Sequence, residues 1–339
     1  MIETLRQFSP EVEQYSIDEA FLGLKGFSHK NLTEYGARIR ATVKQWTGIP
    51  VSVGIAKTKT LAKIAAHVAK RDPATQGVFD LNSVTDLKEI LTAVEVAEVW
   101  GIGRQLDKRL NRHGVYNAYQ LQQVDESWIK KEMGILGLRT VRELQGIACI
   151  PIETEESRKK MRIVSRSFGR PVTGLVEIKE ALATYVTRCA EKLRMDGLAA
   201  GRLTVTFRTD YYKPENQYFA SKEVILDPPT NSTAELIRQA LQAAESVFRE
   251  GCQYQKAKVI ATGLVPANTV QGNLFAMDVD PERDGQLMQA IDQINRKLGK
   301  DAVKFGALGL TQSWRMRSDY FSQRYTTHWA ELPTARIQA

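Results

Sequence analysis

Apolar positions change period several times along the first eighty residues. Short alternating runs predict a strand pair around Val12 to Leu24 and strands at Val51 to Ile55 and Gly77 to Leu81, while three-to-four spacing predicts helices at Leu32 to Trp46 and Thr60 to Lys70. From Asn82 to Cys149 the spacing settles near 3.6, and Gly101, Gly103, Gly114, Gly134, Gly137 and Gly146 divide it into short helices. Pro151 to Arg162 is polar and charged without a period, which predicts an exposed linker. Beyond it the order is strand (Ile163 to Gly169), helix (Ile178 to Met195), strand (Arg202 to Thr209), strand (Tyr218 to Ile225), helix (Thr233 to Arg249) and strand (Ala257 to Leu264). That order describes a split βαβ layer with two helices on one face of four strands. Residues 266 to 339 read as a tail with one helix from about Pro281 to Leu298. The expected class is α+β and multidomain: units at 1–81, 82–150 (all-helical) and 163–265, a linker at 151–162 and a tail at 266–339.

Composition excludes some functions without choosing among the rest. The 339 residues are 43% hydrophobic, enough to bury cores, and 47 Lys plus Arg against 39 Asp plus Glu give a net charge of +8 that favours polyanionic partners. No run of eighteen apolar residues occurs, and the opening residues carry no basic segment followed by an apolar one, so neither a membrane span nor a secretory signal is expected. Cys149, Cys189 and Cys252 lie 40 and 63 residues apart, a spacing for neither a zinc knuckle nor a disulfide framework, and reduced cytoplasmic thiols follow.

The candidate chemistry begins at Tyr15-Ser16-Ile17-Asp18-Glu19-Ala20-Phe21-Leu22, where two adjacent carboxylates sit between apolar β-type runs. Strand neighbours point to opposite faces, so Asp18 and Glu19 serve one site only if the chain turns there, as at a hairpin tip. Paired oxygen ligands at a strand end suit a hard divalent cation, Mg²⁺ in particular, which completes its octahedron with water and phosphate. As a bare dipeptide the signal is empty, because Asp125-Glu126 repeats it at a helix start, where charge placement alone explains it. On the Thr60 helix, Leu61, Ile64, Ala65 and Val68 define a buried face, and Lys59, Lys63 and Lys70 fall on the other as a cationic stripe suited to phosphates. Val99-Trp100-Gly101-Ile102-Gly103-Arg104 joins two short helices; its glycines let backbone N–H groups approach a DNA phosphate, with Arg104, Lys108 and Arg109 close by. Six Lys or Arg and no acid lie between Ser157 and Arg170, including Arg166 and Arg170, and Arg202 and Arg208 follow in the next strand, a distribution suited to backbone contact with DNA. In the tail, Gln271-Gly272-Asn273-Leu274-Phe275 places an apolar pair in polar surroundings, where its own core or a partner's pocket must cover it.

The first of these strings, followed by Ser52-Val53-Gly54-Ile55-Ala56-Lys57-Thr58-Lys59-Thr60-Leu61-Ala62-Lys63, resembles the palm of Y-family translesion DNA polymerases. Arg315 to Arg324 and the following Tyr325-Thr326-Thr327 resemble the C-terminal extension of the family's UmuC subgroup. The resemblance spans nearly the whole sequence and implies a partial palm over 1–81, a helix-hairpin-helix thumb over 82–150 and a little finger over 163–265. It further implies that Asp18 bridges two magnesium ions, that Glu19 holds the one activating the primer 3′ hydroxyl, and that Lys70 reaches the incoming triphosphate. Gly101, Gly103, Arg104 and Lys108 of the thumb, with Arg166, Arg170, Arg202 and Arg208 of the little finger, would hold primer-template DNA. Gln271, Leu274 and Phe275 would enter a pocket of the sliding clamp, with Gly272 departing from the aliphatic residue usual there. A processed UmuD-type dimer and a RecA filament are the other implied partners, and a cytoplasmic, nucleoid-associated role in the SOS response, DNA repair and damage tolerance is the implied setting.

Family members begin with a strand bearing a third metal-bridging aspartate, an aromatic gate against ribonucleotides and the fingers, whereas this sequence opens at the helix before the Asp-Glu hairpin. The expectation is thus a site with two of three carboxylates, impaired catalysis, and residues 1–80 as the least stable region. The alternative is a non-catalytic remnant that binds DNA and the sliding clamp. A hairpin-containing nuclease or glycosylase is a more distant option, since no suitable nucleophile or lysine accompanies the hairpin.

Overall fold

A computed structural model describes residues 1–27, 29–154, 159–213, 217–270, 281–316 and 320–335. The chain forms two compact units, Met1–Ser157 and Arg158–Ala339.

The first unit starts with α1 (Ile2–Leu5), the antiparallel hairpin of β1 (Val12–Gln14) and β2 (Ala20–Leu22), and α2 (Leu32–Thr47). Next come β3 (Val53–Ile55), α3 (Lys59–Arg71) and β4 (Val78–Asp80), in which β3 and β4 pair in parallel with Val53 opposite Val78 and α3 as the crossover. Gly54 makes that crossover tight: a Cβ there would lie 2.1 Å from Ala66 N and 2.3 Å from Ala62 O, so only glycine lets α3 settle on the strand. A small core of Leu5, Phe8, Ile39 and Val43 lies under the hairpin. The helices α4 (Leu87–Ala93), α5 (Arg104–Arg112), α6 (Ala118–Gln122) and α7 (Glu126–Leu144), the last interrupted at Gly134, complete the unit.

Their core includes Leu91, Leu110, Leu121, Ile129, Val141 and Leu144, and it also takes Leu61, Ile64 and Ala65 from α3. The expected division between 81 and 82 is therefore not a division of packing. Periodicity marks where element types change, but one amphipathic helix can serve two layers at once. The segment read as an exposed linker is likewise tied down at its start, where Pro151 O accepts from Lys59 Nζ at 2.6 Å and Glu153 N donates to Glu13 Oε2 at 2.6 Å.

In the second unit β5 (Met161–Val172), α8 (Leu175–Met195), β6 (Leu198–Thr209), β7 (Phe219–Thr230), α9 (Thr233–Val247) and β8 (Tyr254–Pro266) form an antiparallel sheet of order β5-β8-β6-β7. Leu203, Val205 and Phe207 of β6, with Val164 and Phe168 of β5, alternate into a core shared with Leu182, Val186 and Leu193 of α8 and Leu236 and Ala240 of α9. The last helix, α10 (Pro281–Leu298), is joined to α8 through Arg194 and Asp292, with Nε–Oδ2 at 2.7 Å and Nη2–Oδ1 at 2.8 Å. The chain beyond it returns to the same core. Leu308 and Trp314 are buried there, the Trp314 ring lying edge-on to Tyr185 and Phe168 and its carbonyl accepting from Gly169 N at 3.0 Å. Part of the region read as a separate tail thus belongs to the second unit's interior; single apolar residues between polar ones carry no period by which a sequence reading could find them. No helix among the described residues is long and apolar enough to cross a membrane.

Candidate active site

Ser16 closes the β1–β2 hairpin. Its hydroxyl accepts from the N–H groups of Asp18 at 3.2 Å and Glu19 at 3.1 Å and donates to Asp18 Oδ1 at 2.6 Å, while Tyr15 N and Ser16 N both donate to Glu19 O at 3.1 Å. The chain leaves strand geometry at this tip, so the two side chains no longer alternate between faces. Asp18 and Glu19 are both exposed and line one cavity of about 660 Å³, together with Lys57, Lys59 and Lys63. The other Asp-Glu pair does something different: Asp125 accepts from Trp128 N at 3.0 Å as the cap of α7, and Glu126 pairs with Arg142 at 2.6 Å.

The cationic stripe expected on α3 divides into three environments. Lys63 Nζ reaches Glu19 Oε1 at 2.8 Å and lies 4.8 Å from the Tyr15 ring and 5.7 Å from that of Trp100, whose Nε1 donates to Tyr15 OH at 2.8 Å. Lys59 is buried instead, ion-paired to Glu13 and 5.0 Å from the Phe21 ring. A helical wheel treats the outer face as open to water, but the hairpin and Pro151 cover the first turn of α3. Lys70 is exposed, seven residues or about 10 Å along the axis from Lys63, and is not among the residues lining the cavity. His67 Nδ1, one turn before Lys70, and Arg71 Nη2, the next residue after it, each lie 3.4 Å from Glu98; burial foremost, then Arg71, holds the His67 imidazole below its ordinary pKa.

A buried acid fixes where α3 begins. Glu143, fully buried near the end of α7, accepts from Thr60 N (2.9 Å) and Thr60 Oγ1 (3.0 Å) on one oxygen and from Cys149 N (3.1 Å) and Ile150 N (3.0 Å) on the other. Thr58 Oγ1 caps Leu61 N at 3.3 Å and donates to Glu143 O at 2.9 Å. The carboxyl group thereby satisfies a first-turn N–H that a helix cannot satisfy internally.

At the helical hairpin, Gly101 has φ +88°, a conformation that favours glycine, and Gly103 is the cap residue of α5 without a side-chain hydrogen bond. The first-turn N–H groups of α5 are open to an anion, and Arg104 and Lys108 stand exposed four residues apart. Arg109, by contrast, is 3.4 Å from Glu132.

The second unit separates its four expected DNA-binding arginines into two groups. On the face of the sheet away from α8 and α9, the register sets Arg208 beside Lys256 and Phe219, and Arg202 beside Thr262 and Ile225. Lys258, two residues from Lys256, shares this face. Arg166 has the parity of the buried Val164 and Phe168 and so belongs to the helix side, and Arg170 is bound to Glu177 and to Ser313 Oγ at 3.0 Å. The four arginines therefore do not share one surface: Arg202 and Arg208 share theirs with Lys256 and Lys258, and Arg166 and Arg170 do not. Sequence reading missed the two lysines although Lys256-Ala257-Lys258-Val259 alternates; it also missed Glu143 and the Tyr15–Trp100 pair, for which no local pattern exists. Gln271, Leu274 and Phe275 lie outside the described residues.

Comparison with known proteins gives this geometry a family. Residues 1–67 match the impB/mucB/samB family, residues 159–274 match the impB/mucB/samB family C-terminal domain, and residues 285–335 match a domain of unknown function, DUF4113. Protein UmuC of Salmonella typhimurium is 36% identical over 98% of this chain and 79% of its own length. The chain belongs to the UmuC-type Y family of DNA polymerases. Protein MucB of Escherichia coli is similar at 35% identity, again over 98% of this chain and 79% of that protein. A solved Y-family DNA polymerase chimera of Dbh and Dpo4 shares the fold with a TM-score of 0.59 at 21% identity, covering 78% of this UmuC-type chain and 74% of the chimera.

Y-family polymerases are metal-dependent nucleotidyltransferases, so the donor set of this UmuC-type chain can be judged against a metal. The carboxyl oxygens of Asp18 and Glu19 are hard donors opening on one cavity, and Mg²⁺ is commonly held by one or two carboxylates plus water and phosphate. Among the described residues no group of three or more His, Cys, Asp or Glu could hold a metal ion. The pair therefore fits one hard divalent cation completed by water or substrate oxygen.

Proposed function

We propose that this UmuC-type chain is the catalytic subunit of an error-prone translesion DNA polymerase, transferring deoxynucleotides to a primer 3′ hydroxyl opposite damaged template. The observation that carries the reading is the turn at Ser16, which puts Asp18 and Glu19 on one cavity beside Lys63. Mg²⁺ on that pair would supply positive charge to the reacting phosphate oxygens. Lys70 serves as a point charge for the leaving pyrophosphate. Gly101, Gly103, Arg104 and Lys108 hold duplex phosphates through open N–H groups and cations, and Arg202, Arg208, Lys256 and Lys258 do so on the sheet face, binding DNA without reading its sequence.

Resemblance to the family extends the reading to damage tolerance in the SOS response. It also extends it to a sliding clamp held through Gln271, Leu274 and Phe275, and to a processed UmuD-type dimer and a RecA filament as partners. A second reading, a DNA-binding protein without polymerase activity, draws support from Glu19 being engaged by Lys63 and from the small number of carboxylates grouped among the described residues. Primer extension with Mg²⁺ on a lesion-bearing template separates the two. Extension that Asp18→Asn abolishes supports the polymerase; no extension by the parent chain, with salt-sensitive DNA binding retained, supports the second reading.

A further inference from the structure

The two acids of the hairpin tip have different partners. Asp18 is bonded to the Ser16 hydroxyl at 2.6 Å, whereas Glu19 Oε1 faces the Lys63 ammonium at 2.8 Å. Lys63 does not reach Glu19 as a loose surface side chain. Tyr15 and Trp100 stand edge to face with centroids 5.4 Å apart, locked by the 2.8 Å hydrogen bond between Trp100 Nε1 and Tyr15 OH, and their rings flank the ammonium. Aromatic faces attract a cation without neutralising it, so the rings hold Nζ at the tip while leaving its charge available. The backbone behind Lys63 is fixed as well, because α3 is anchored one turn earlier by Thr58 and Glu143. The Lys63 side chain is about a quarter exposed and that of Glu19 about half, so the pair is a partly hydrated one that an ion can open.

From this arrangement we infer that Lys63 is a resident counter-ion of the carboxylate site: it occupies Glu19 when no divalent cation is present and is displaced from Glu19 when one binds. The inference rests on the proposed metal role of Asp18 and Glu19 and adds the rule by which the pair is filled. A divalent ion that engages both acids must break the Lys63–Glu19 contact and accept a positive charge nearby, so the metal alone binds weakly. The rings keep the released ammonium beside the tip, where a phosphate oxygen arriving with a nucleotide offers it a new anion. Lys63 is thus a positioning residue, acting on metal occupancy through Glu19.

The test is equilibrium binding of Mn²⁺ alone, read by electron paramagnetic resonance on the full chain. Lys63→Met should bind Mn²⁺ about 5-fold more tightly than the parent, the upper end of what a partly exposed ion pair is worth, and Lys63→Arg should bind like the parent. In a Glu19→Gln background the gain from Lys63→Met should fall below about 2-fold, because the contact being competed for is gone. Parent-like or weaker binding by Lys63→Met, with Glu19→Gln still lowering affinity, overturns the counter-ion role and leaves the metal reading standing. Mn²⁺ binding indifferent to both Asp18→Asn and Glu19→Gln overturns the metal reading and the inference with it. Circular dichroism of each variant shows whether a lost signal is only a lost fold.

Discussion

Glu143 offers the sharpest test of how the site is supported. The residue lines the same cavity as Asp18, Glu19 and Lys63, and its carboxyl takes four hydrogen bonds in a fully buried setting, two from Thr60 and one each from Cys149 and Ile150. Glu143→Ala leaves all four donors facing a void. At about 1 kcal/mol for each buried donor left unpaired, the low end of the usual range, the loss is about 4 kcal/mol. Glu143→Gln keeps one oxygen and sets an NH₂ group against the donors on the other side, costing about 2 kcal/mol. Native-state hydrogen exchange reads both directly, since each 1.36 kcal/mol is tenfold. Amides of Leu61 to Ala69 should lose about 1000-fold protection in the alanine variant and about 30-fold in the glutamine variant, while β6 and β8 keep theirs. Losses below about 5-fold in both variants, or equal losses in the second unit, would refute the claim that this acid anchors α3. The same experiment should show β1 and β2 exchanging fastest among the sheets, because two three-residue strands with a small core are marginal on their own.

On the sheet face of the second unit, the Lys256→Ala, Lys258→Ala double variant should lower the slope of log K against log salt for duplex DNA by about 1.8, roughly 0.9 per phosphate contact, whereas Arg166→Ala with Arg170→Ala should lower it by less than half as much. Equal slopes would show that the open face does not carry the contacts. Trp314→Ala should destabilise the second unit by about 3–5 kcal/mol in urea unfolding, since it empties a buried ring site against Tyr185 and Phe168; a change under 1 kcal/mol would contradict that packing. Hydrogen bonding to Arg162 foremost, and then to Lys159, holds Asp196 below the usual carboxylate pKa of 3.8. A carboxyl depressed in the folded state stabilises fully above 3.8 and loses that contribution as pH falls through its folded value. Asp196→Asn should therefore be less stable than the parent at pH 7, with the gap closing below pH 3.8, and a gap independent of pH would contradict the linkage.

Periodicity made most of this architecture readable. The helices Leu32–Thr47, Lys59–Arg71 and Pro281–Leu298 fall within a residue or so of their predicted ranges, and the β-α-β-β-α-β order is the observed one; the first two helices and the elements of that layer bury one face on a core of their own unit. What resisted reading was decided by contacts distant in sequence. Lys59 looked like Lys63 until Glu13 and Pro151, 46 and 92 residues away, enclosed it. Arg166 and Arg208 looked equivalent until strand register sent them to opposite faces. The hairpin tip was legible for the opposite reason: Ser16 bonds only to residues two and three positions on, so the turn that brings the acids together is written locally.

The burial of Leu308 and Trp314 in the second unit bears on how shortened versions of this protein should be interpreted. A truncation that stops the chain before residue 300, designed to strip away a docking extension, would also pull an aromatic plug from between β5 and α8. Any binding lost in such a variant would then be confounded with a loosened sheet whose opposite side carries Arg202, Arg208, Lys256 and Lys258. Cuts placed after Arg315 leave the plug seated, and only those distinguish a missing contact from a damaged scaffold.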